Sequence, residues 1–370
     1  MRLYARHRVG WVLFVLVGPL WAPARLSAQE VPVPEPAPQP EAEAEIDPQD
    51  VLDRQTFMTA APKGSLTVQL ENDVLGGGTD RHYTNGLRVS YVFPARKLPP
   101  LARFLRSITP FIDRQAEMRV MGAVGQNIFT PSDILDTALI AADRPYAGWL
   151  YAEIGLSVLD GRVRDSAVLS LGVVGPASLA KETQRWWHGV INVEKPEGWA
   201  NQLRNEPAVL FLFEREWLTR RPLIEDKLYV DFSPRAGFAL GNVFDYVAAG
   251  GMIRLGPNLP RDFGVPRIRP SLPGSGLFAS PAHGIDWYIF AGGEARLVAR
   301  NIFLDGNTFR NSHSVDKKLL VFDAQAGLGM TLDLYGAPMR FSYALVFRSK
   351  EFEGQTKANA FGSISFSVQF

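Results

Sequence analysis

The last ten residues, Phe361 to Phe370, read FGSISFSVQF. In an extended chain Ile364, Phe366, Val368 and Phe370 project to one side, while Ser363, Ser365, Ser367 and Gln369 project to the other. A strand with one apolar and one polar face suits the edge of a soluble sandwich, or a transmembrane barrel whose apolar face meets lipid. Recurrence decides between them, because a barrel needs such segments of roughly 10 residues along its whole length. Upstream the pattern does recur. SLTVQLENDV (Ser65 to Val74) sets Leu66, Val68 and Leu70 against Thr67, Gln69 and Glu71. TNGLRVSYVF (Thr84 to Phe93) sets Leu87, Val89, Tyr91 and Phe93 against Arg88, Ser90 and Val92. Further segments run Met118 to Asn127, Ala147 to Leu159, Ser166 to Val174, Ala208 to Trp217, Lys227 to Leu240, Val243 to Leu255, Ile285 to Val298, Leu319 to Leu334, Met339 to Arg348 and Ala358 to Phe370. Together they make about twelve strands, an even number as bacterial single-chain barrels require. Gly241-Asn242 and Gly336-Ala337 leave room only for tight turns, as on the periplasmic side of such barrels. Tyr83, Tyr91, Tyr146, Trp149, Tyr151, Trp217, Tyr288 and Tyr343 lie near strand ends and fit aromatic girdles, although each alone also reads as a packing residue.

The opposite end of the chain favours the membrane. Arg2, Arg6 and Arg8 precede an apolar run from Val9 to Leu20, with small residues at Ser27 and Ala28. That is an export signal, cut after Ala28, and its run is shorter than the roughly 20 residues of a spanning helix. Residues 29–63, rich in proline, alanine and acids, read as an extended linker without a core. A strand that closes the chain on an aromatic ring resembles the terminal strand of bacterial outer-membrane barrels, which the insertion machinery reads. The predicted fold is therefore all-β: a transmembrane antiparallel β-barrel of about twelve strands over residues 64–370, in the bacterial outer membrane.

Composition is compatible with this and excludes several alternatives. The 370 residues contain no cysteine, which removes disulfides, thiolate metal sites and a cysteine nucleophile. Thirty-nine basic against 38 acidic residues create no field that would gather nucleic acid. A mean hydropathy of -0.04 resembles that of a soluble protein, as alternation in a barrel wall produces. No stretch of 18 apolar residues follows the signal, so spanning helices are excluded.

One segment breaks the strand rhythm. ASLAKETQRWWHGVINVE (Ala177 to Glu194) reads as a short helix, with Pro176 at its start and Gly189 as a possible end. Gln184 and His188 are four apart and share a face. Inserted between strands, this helix is expected at the rim or inside the lumen, since irregular backbone cannot face lipid. His188 stands beside Trp186 and Trp187, where burial can tune it as a general base, although a packing histidine has the same signature. His82, His283 and His313 fall in turns or loops and read as solvated. Glu71, Asn72 and Asp73, followed by Gly76 to Gly78 and Asp80 to Gly86, offer oxygen ligands suited to calcium, or simply acids facing water. Gln126 to Pro131 and Asp143 to Trp149 form a third polar-aromatic cluster that fits an interface turn equally well. No G-x-S-x-G, H-E-x-x-H or P-loop pattern occurs. What remains is a histidine-activated water with an oxyanion stabiliser.

Taken in order, Glu71-Asn72-Asp73, Asp80 to Gly86, Gln126 to Pro131, Asp143 to Trp149, Gln184 with His188, and Gly198-Trp199 through Gln202 and Asn205-Glu206 resemble the outer-membrane lipid A 3'-O-deacylase family. The resemblance runs from about residue 64 to the C terminus. It implies a twelve-stranded barrel with a site between wall and short helix near the outer rim. It implies further that Asn72, Asp73, Thr84, Gln184, His188 and Glu194 are the site residues. By that likeness calcium near Asp73 stabilises the oxyanion, His188 deprotonates water, and the substrate is lipid A of lipopolysaccharide. The family's phosphate-binding basic pair has no clear match among Arg96, Lys97, Arg103 and Arg106. Alternatives of other kinds are an outer-membrane phospholipase on the same scaffold, and a passive barrel or channel.

Overall fold

The computed structural model describes residues 63–76, 82–94, 117–160, 162–224, 227–257, 259, 264–268, 278, 281 and 284–370. The expected signal and nearly all of the linker lie outside these, as do Asp80, Arg96, Lys97, Arg103, Arg106 and His283. Thirteen strands form one sheet: β1 Ser65–Asn72, β2 His82–Val92, β3 Glu117–Thr130, β4 Ala147–Asp160, β5 Val163–Val174, β6 Glu206–Trp217, β7 Thr219–Ile224, β8 Leu228–Gly241, β9 Phe244–Gly256, β10 Ile285–Asn301, β11 Leu320–Leu334, β12 Ala337–Arg348 and β13 Asn359–Gln369. β13 returns to β1, with Gln369 opposite Ser65 and Gly362 opposite Asn72, and closes the sheet. β6 and β7 both pair with β8 and are one wall strand interrupted at Leu218, so the closed antiparallel barrel has twelve strands. The stretch Thr219–Ile224 is absent from the sequence-based strand set. Pro222 explains the omission, since it removes a ladder donor, and the register shifts next to it.

The alternation works as the pattern predicts. In β1 and β13 the serines, threonine and glutamines are buried and meet across the lumen face; Thr67 Oγ1 lies 2.8 Å from Ser367 Oγ. Val68, Val89, Val124, Ile154, Leu171 and Phe366 are exposed on the outer face. Charges inside are paired, as buried charges must be. Arg88 binds Glu153 and Gln69, Arg164 binds Glu214 and Glu216, Arg254 binds Asp231, and Arg296 and Arg348 share Asp323.

Two expectations change. Tyr83, Trp149, Tyr151 and Tyr288 are not girdle residues but buried rings inside the barrel. Trp149 and Tyr151 share the strand parity of Glu153, which bonds Arg88 in the lumen, so they must point inward too. Second, the Gly241-Asn242 turn lies at the rim opposite the termini, because β8 starts at the terminal rim and runs away from it. Asn242 makes the tight turn there by donating to the Pro207 carbonyl while its own Oδ1 accepts from Val209 N. The β11–β12 turn does lie at the terminal rim, where Tyr335 (φ 54) and Gly336 (φ 81) supply the positive angles of a primed hairpin turn.

The lumen is filled. Tyr83, Phe129, Trp149, Phe244 and Phe303 form a core at the distal end, the last from a short helical turn, Ile302–Asp305. From the β9–β10 connection Arg267 enters the interior and donates to Glu71 Oε1 (3.0 Å) and Gln325 Oε1 (2.8 Å), with Ile268 N on the same Glu71 oxygen (3.1 Å).

Candidate active site on the outer wall

Cross-strand registers place Asn72 opposite Asn85, Asn85 opposite Ile128, and Ile128 opposite Gly148. Residues directly opposite in a sheet point to the same side, and Asn85 has the parity of lipid-facing Leu87 and Val89. The row therefore runs across the outside of the barrel, over three strand spacings or about 14 Å.

The predicted helix is present as α1, Ala180–Ile191, and follows a 3-10 turn, Pro176–Ser178, that begins on the expected proline. It passes through Gly189 and ends at Asn192, whose left-handed conformation returns its N–H to the His188 carbonyl. Its position corrects the expectation of rim or lumen. A Cβ on Gly148 would lie 2.1 Å from Ser178 Oγ and 2.2 Å from the Ala180 Cβ. Gln126 Nε2 donates to the Ser178 carbonyl (2.6 Å), and Ile128, Tyr146, Ala180 and Trp199 form a separate apolar cluster. These wall residues are on the outward row, so α1 rests on the outer face of β3 and β4. A helix can do so because it satisfies its own backbone groups.

Three helix residues are buried: Ala180, Gln184 and His188, at intervals of four. That spacing makes one stripe, and it is the stripe pressed toward the wall. Gln184 Oε1 accepts from Trp199 Nε1 (2.9 Å), and Trp199 packs on Tyr146 at a ring distance of 4.9 Å. His188 Nδ1 lies 2.5 Å from the Glu194 carbonyl oxygen. A carbonyl only accepts, so Nδ1 carries the proton and Nε2 keeps the lone pair of a base. Glu194 touches His188 through its backbone, and its side chain is exposed.

Across the wall, Asn72 Nδ2 donates to the Thr84 carbonyl (3.0 Å), and Asn72 Oδ1 accepts from Val74 N (2.9 Å). Asp73 N also donates to the Thr84 carbonyl (3.3 Å). Thr84 sits in a register shift between Tyr83 and Asn85. Such an extra residue re-aims a side chain, and the Thr84 hydroxyl meets that of Thr130 on the outward side, 2.6 Å away. Thr130 was not foreseen as part of the site. The acidic triplet, by contrast, divides: Asn72 faces out, while Glu71 faces the lumen and is held by Arg267. Asn72, Asp73 and Thr84 are all buried.

Among the described residues no group of three or more His, Asp or Glu side chains is placed to hold a metal. What the strand end offers is a partial set of hard oxygens: the Asp73 carboxylate, the Asn72 amide oxygen and the Thr84 and Thr130 hydroxyls. That chemistry fits calcium in a site completed by water and substrate.

His82 is corrected from solvated to buried. It packs edge-on to Phe352, with Nδ1 3.9 Å from Asp143 Oδ1. His313 Nε2 lies 2.7 Å from the Asp143 carbonyl. Asp143 accepts from Ser132, while Arg144 pairs with Glu351 (2.8 Å), so the third cluster is a rim clasp rather than a reacting centre.

With this geometry in place, comparison is informative. A model of the family described as outer membrane protein LpxR matches residues 35–370. The chain belongs to the LpxR family. It is thus a protein of the outer membrane, and the family is the one to which the sequence motifs pointed. The solved structure of LpxR from Salmonella typhimurium is similar in fold, with a TM-score of 0.67 at 22% identity over 83% of this chain and 100% of that one. Two autotransporter barrels align with lower scores: the Bordetella Brka β domain (TM-score 0.40, 10% identity, 84% of this chain and 99% of that one) and the Neisseria meningitidis NalP translocator domain (0.37, 8%, 87% and 93%). Both scores are too low to build on. No curated protein matches in sequence.

Proposed function

We propose that this LpxR-family protein is an outer-membrane lipid A deacylase that hydrolyses the 3'-linked acyloxyacyl ester by water activated at His188. The observation that carries the reading is the placement of the Gln184–His188 stripe against the outward row of a lipid-facing wall. A base in that position is reached from the side, by a molecule lying in the leaflet, and not through the lumen. Membership of the LpxR family supports the substrate class.

The chain's own groups account for the proton movements. His188 Nε2 takes a proton from water as its oxygen attacks the ester carbonyl carbon. The bond from that carbon to the sugar oxygen then breaks, and the imidazolium returns its proton to the departing oxygen. Throughout, Nδ1–H stays on the Glu194 carbonyl, which fixes the ring plane and stabilises the cationic form. Gln184, held by Trp199, lines the same cleft and is placed to orient substrate. Asp73, Asn72, Thr84 and Thr130 are the groups that would hold calcium. Bound there, the ion would supply positive charge for the developing oxyanion.

The test offers the purified, folded protein lipid A and phospholipid together, with and without a calcium chelator. Loss of the acyloxyacyl chain from lipid A alone, abolished by chelator, is the expected outcome. Cleavage of phospholipid instead would overturn the substrate, and cleavage unaffected by chelator would overturn the role of calcium.

A further inference from the structure

Opposite its wall-facing stripe, α1 carries side chains that a water-facing helix would not. Trp186 is 67% exposed, Val190 58% and Trp187 37%, with Leu179 and Val193 exposed just beyond the ends. At 100° per residue the helix has three sectors. Ala180, Gln184 and His188 face the wall, Trp187 and Val190 occupy one flank with Trp186 outermost, and Lys181 and Arg185 occupy the other flank. Arg185 lies 3.7 Å from Glu197, both partly exposed. One flank is thus apolar and aromatic and the other basic, the distribution of a helix lying in a membrane interface.

The wall says what covers that apolar flank. The row beneath the helix, Asn85–Ile128–Gly148, is two residues, or about 7 Å along the strands, from exposed Leu87. One step further on, Val89, Val124 and Leu171 continue the exposed apolar belt. The flank is continuous with the surface that meets lipid, and tryptophan favours the level where chains give way to headgroups.

We infer that the outer face of α1 is a membrane-seated surface, with Trp186, Trp187 and Val190 in the acyl-chain boundary of the outer leaflet and Lys181 at the headgroups. The seating itself requires only the outer-membrane barrel. Its consequence rests on the deacylase reading: the ester of a lipid reaches the cleft under α1 without leaving the leaflet.

The absence of cysteine from the chain makes a site-specific test clean. Trp186→Cys, Val190→Cys and Lys181→Cys are each introduced into the full protein, labelled with a nitroxide and reconstituted in vesicles. Accessibility to oxygen and to a water-soluble nickel chelate is then measured by electron paramagnetic resonance. The Trp186→Cys and Val190→Cys labels are expected to favour oxygen several-fold more than the Lys181→Cys label. Equal access to the nickel chelate at all three positions overturns the inference, and the two independent apolar positions guard against one variant misfolding. In a second arm, the combined Trp186→Ser and Trp187→Ser protein should hydrolyse vesicle-borne lipid A several-fold more slowly, while its rate on micelle-dispersed lipid A is unchanged. Equal loss in both settings overturns the seating role. A parent protein that cleaves neither lipid refutes the deacylase reading and leaves the label depths to decide the seating.

Discussion

At the level of single residues, the site depends on groups of two kinds. His188 and Gln184 were legible in the sequence because helical spacing places residues four apart on one face, and Asn72-Asp73 because they end an alternating strand. The partners that hold them were not. The Glu194 contact is made by a carbonyl, which every residue possesses, so no residue type announces it. Thr130 is 46 positions from Thr84, and only the register shift beside Thr84 brings their hydroxyls together. Trp199 gives a direct test of positioning. Trp199→Phe keeps the ring packed on Tyr146 but removes the donor to Gln184, a neutral hydrogen bond worth about 1 kcal/mol. A several-fold fall in kcat with little change in KM or in folding is expected from steady-state kinetics. An unchanged kcat would remove Gln184 orientation from the account.

At the level of elements, the helix was predicted but its side of the wall was not. The sequence reading treated the insertion as irregular backbone, whereas twelve residues of α1 satisfy most of their own hydrogen bonds and tolerate the outer face. Gly148 reports that seating. Gly148→Val would drive a side chain into Ser178 and Ala180, lifting α1 without touching the lumen. Activity should be lost while the heat-dependent gel shift of the folded barrel is retained; full activity would mean that the seating is dispensable. A second element-scale prediction concerns the clasp between the β3–β4 and β12–β13 connections. Burial would raise the Glu351 pKa, but the Arg144 and Arg348 guanidiniums outweigh it and hold the carboxyl below its ordinary value. A depressed carboxylate pKa contributes stability above the unfolded-state value, near 4.3 or roughly so, and loses it as pH falls through the lower folded value. Glu351→Gln should therefore destabilise the protein at neutral pH and narrow its gap from the parent as pH falls below about 4, read by thermal unfolding across pH. A gap that widens on acidification would contradict the pairing.

At the level of the whole molecule, closure and strand number were readable from alternation alone, because a period of two survives whatever the tertiary context. The filled lumen was not, since the β9–β10 connection carries no periodic signal and Arg267 finds Glu71 across 196 positions. A passive channel is the reading this changes. Reconstituted in planar bilayers, the protein should show no steady conductance, and a stable open pore would contradict the packed interior. Arg267→Ala leaves Glu71 buried without that partner and should lower stability by about 3–5 kcal/mol, with partial recovery on adding Glu71→Gln. An unaltered unfolding midpoint would show that the plug does not support the barrel.

The central claim joins these scales: a histidine on a helix outside the barrel hydrolyses a lipid within the leaflet. It is tested most directly by mass spectrometry of lipid A, taken over time from membranes carrying either the parent protein or His188→Ala, both shown to be folded. The account predicts that the parent removes the acyloxyacyl chain and that the initial rate of His188→Ala is lower by roughly 10²–10⁴-fold. Loss of that chain at an equal rate in the two membranes would contradict it.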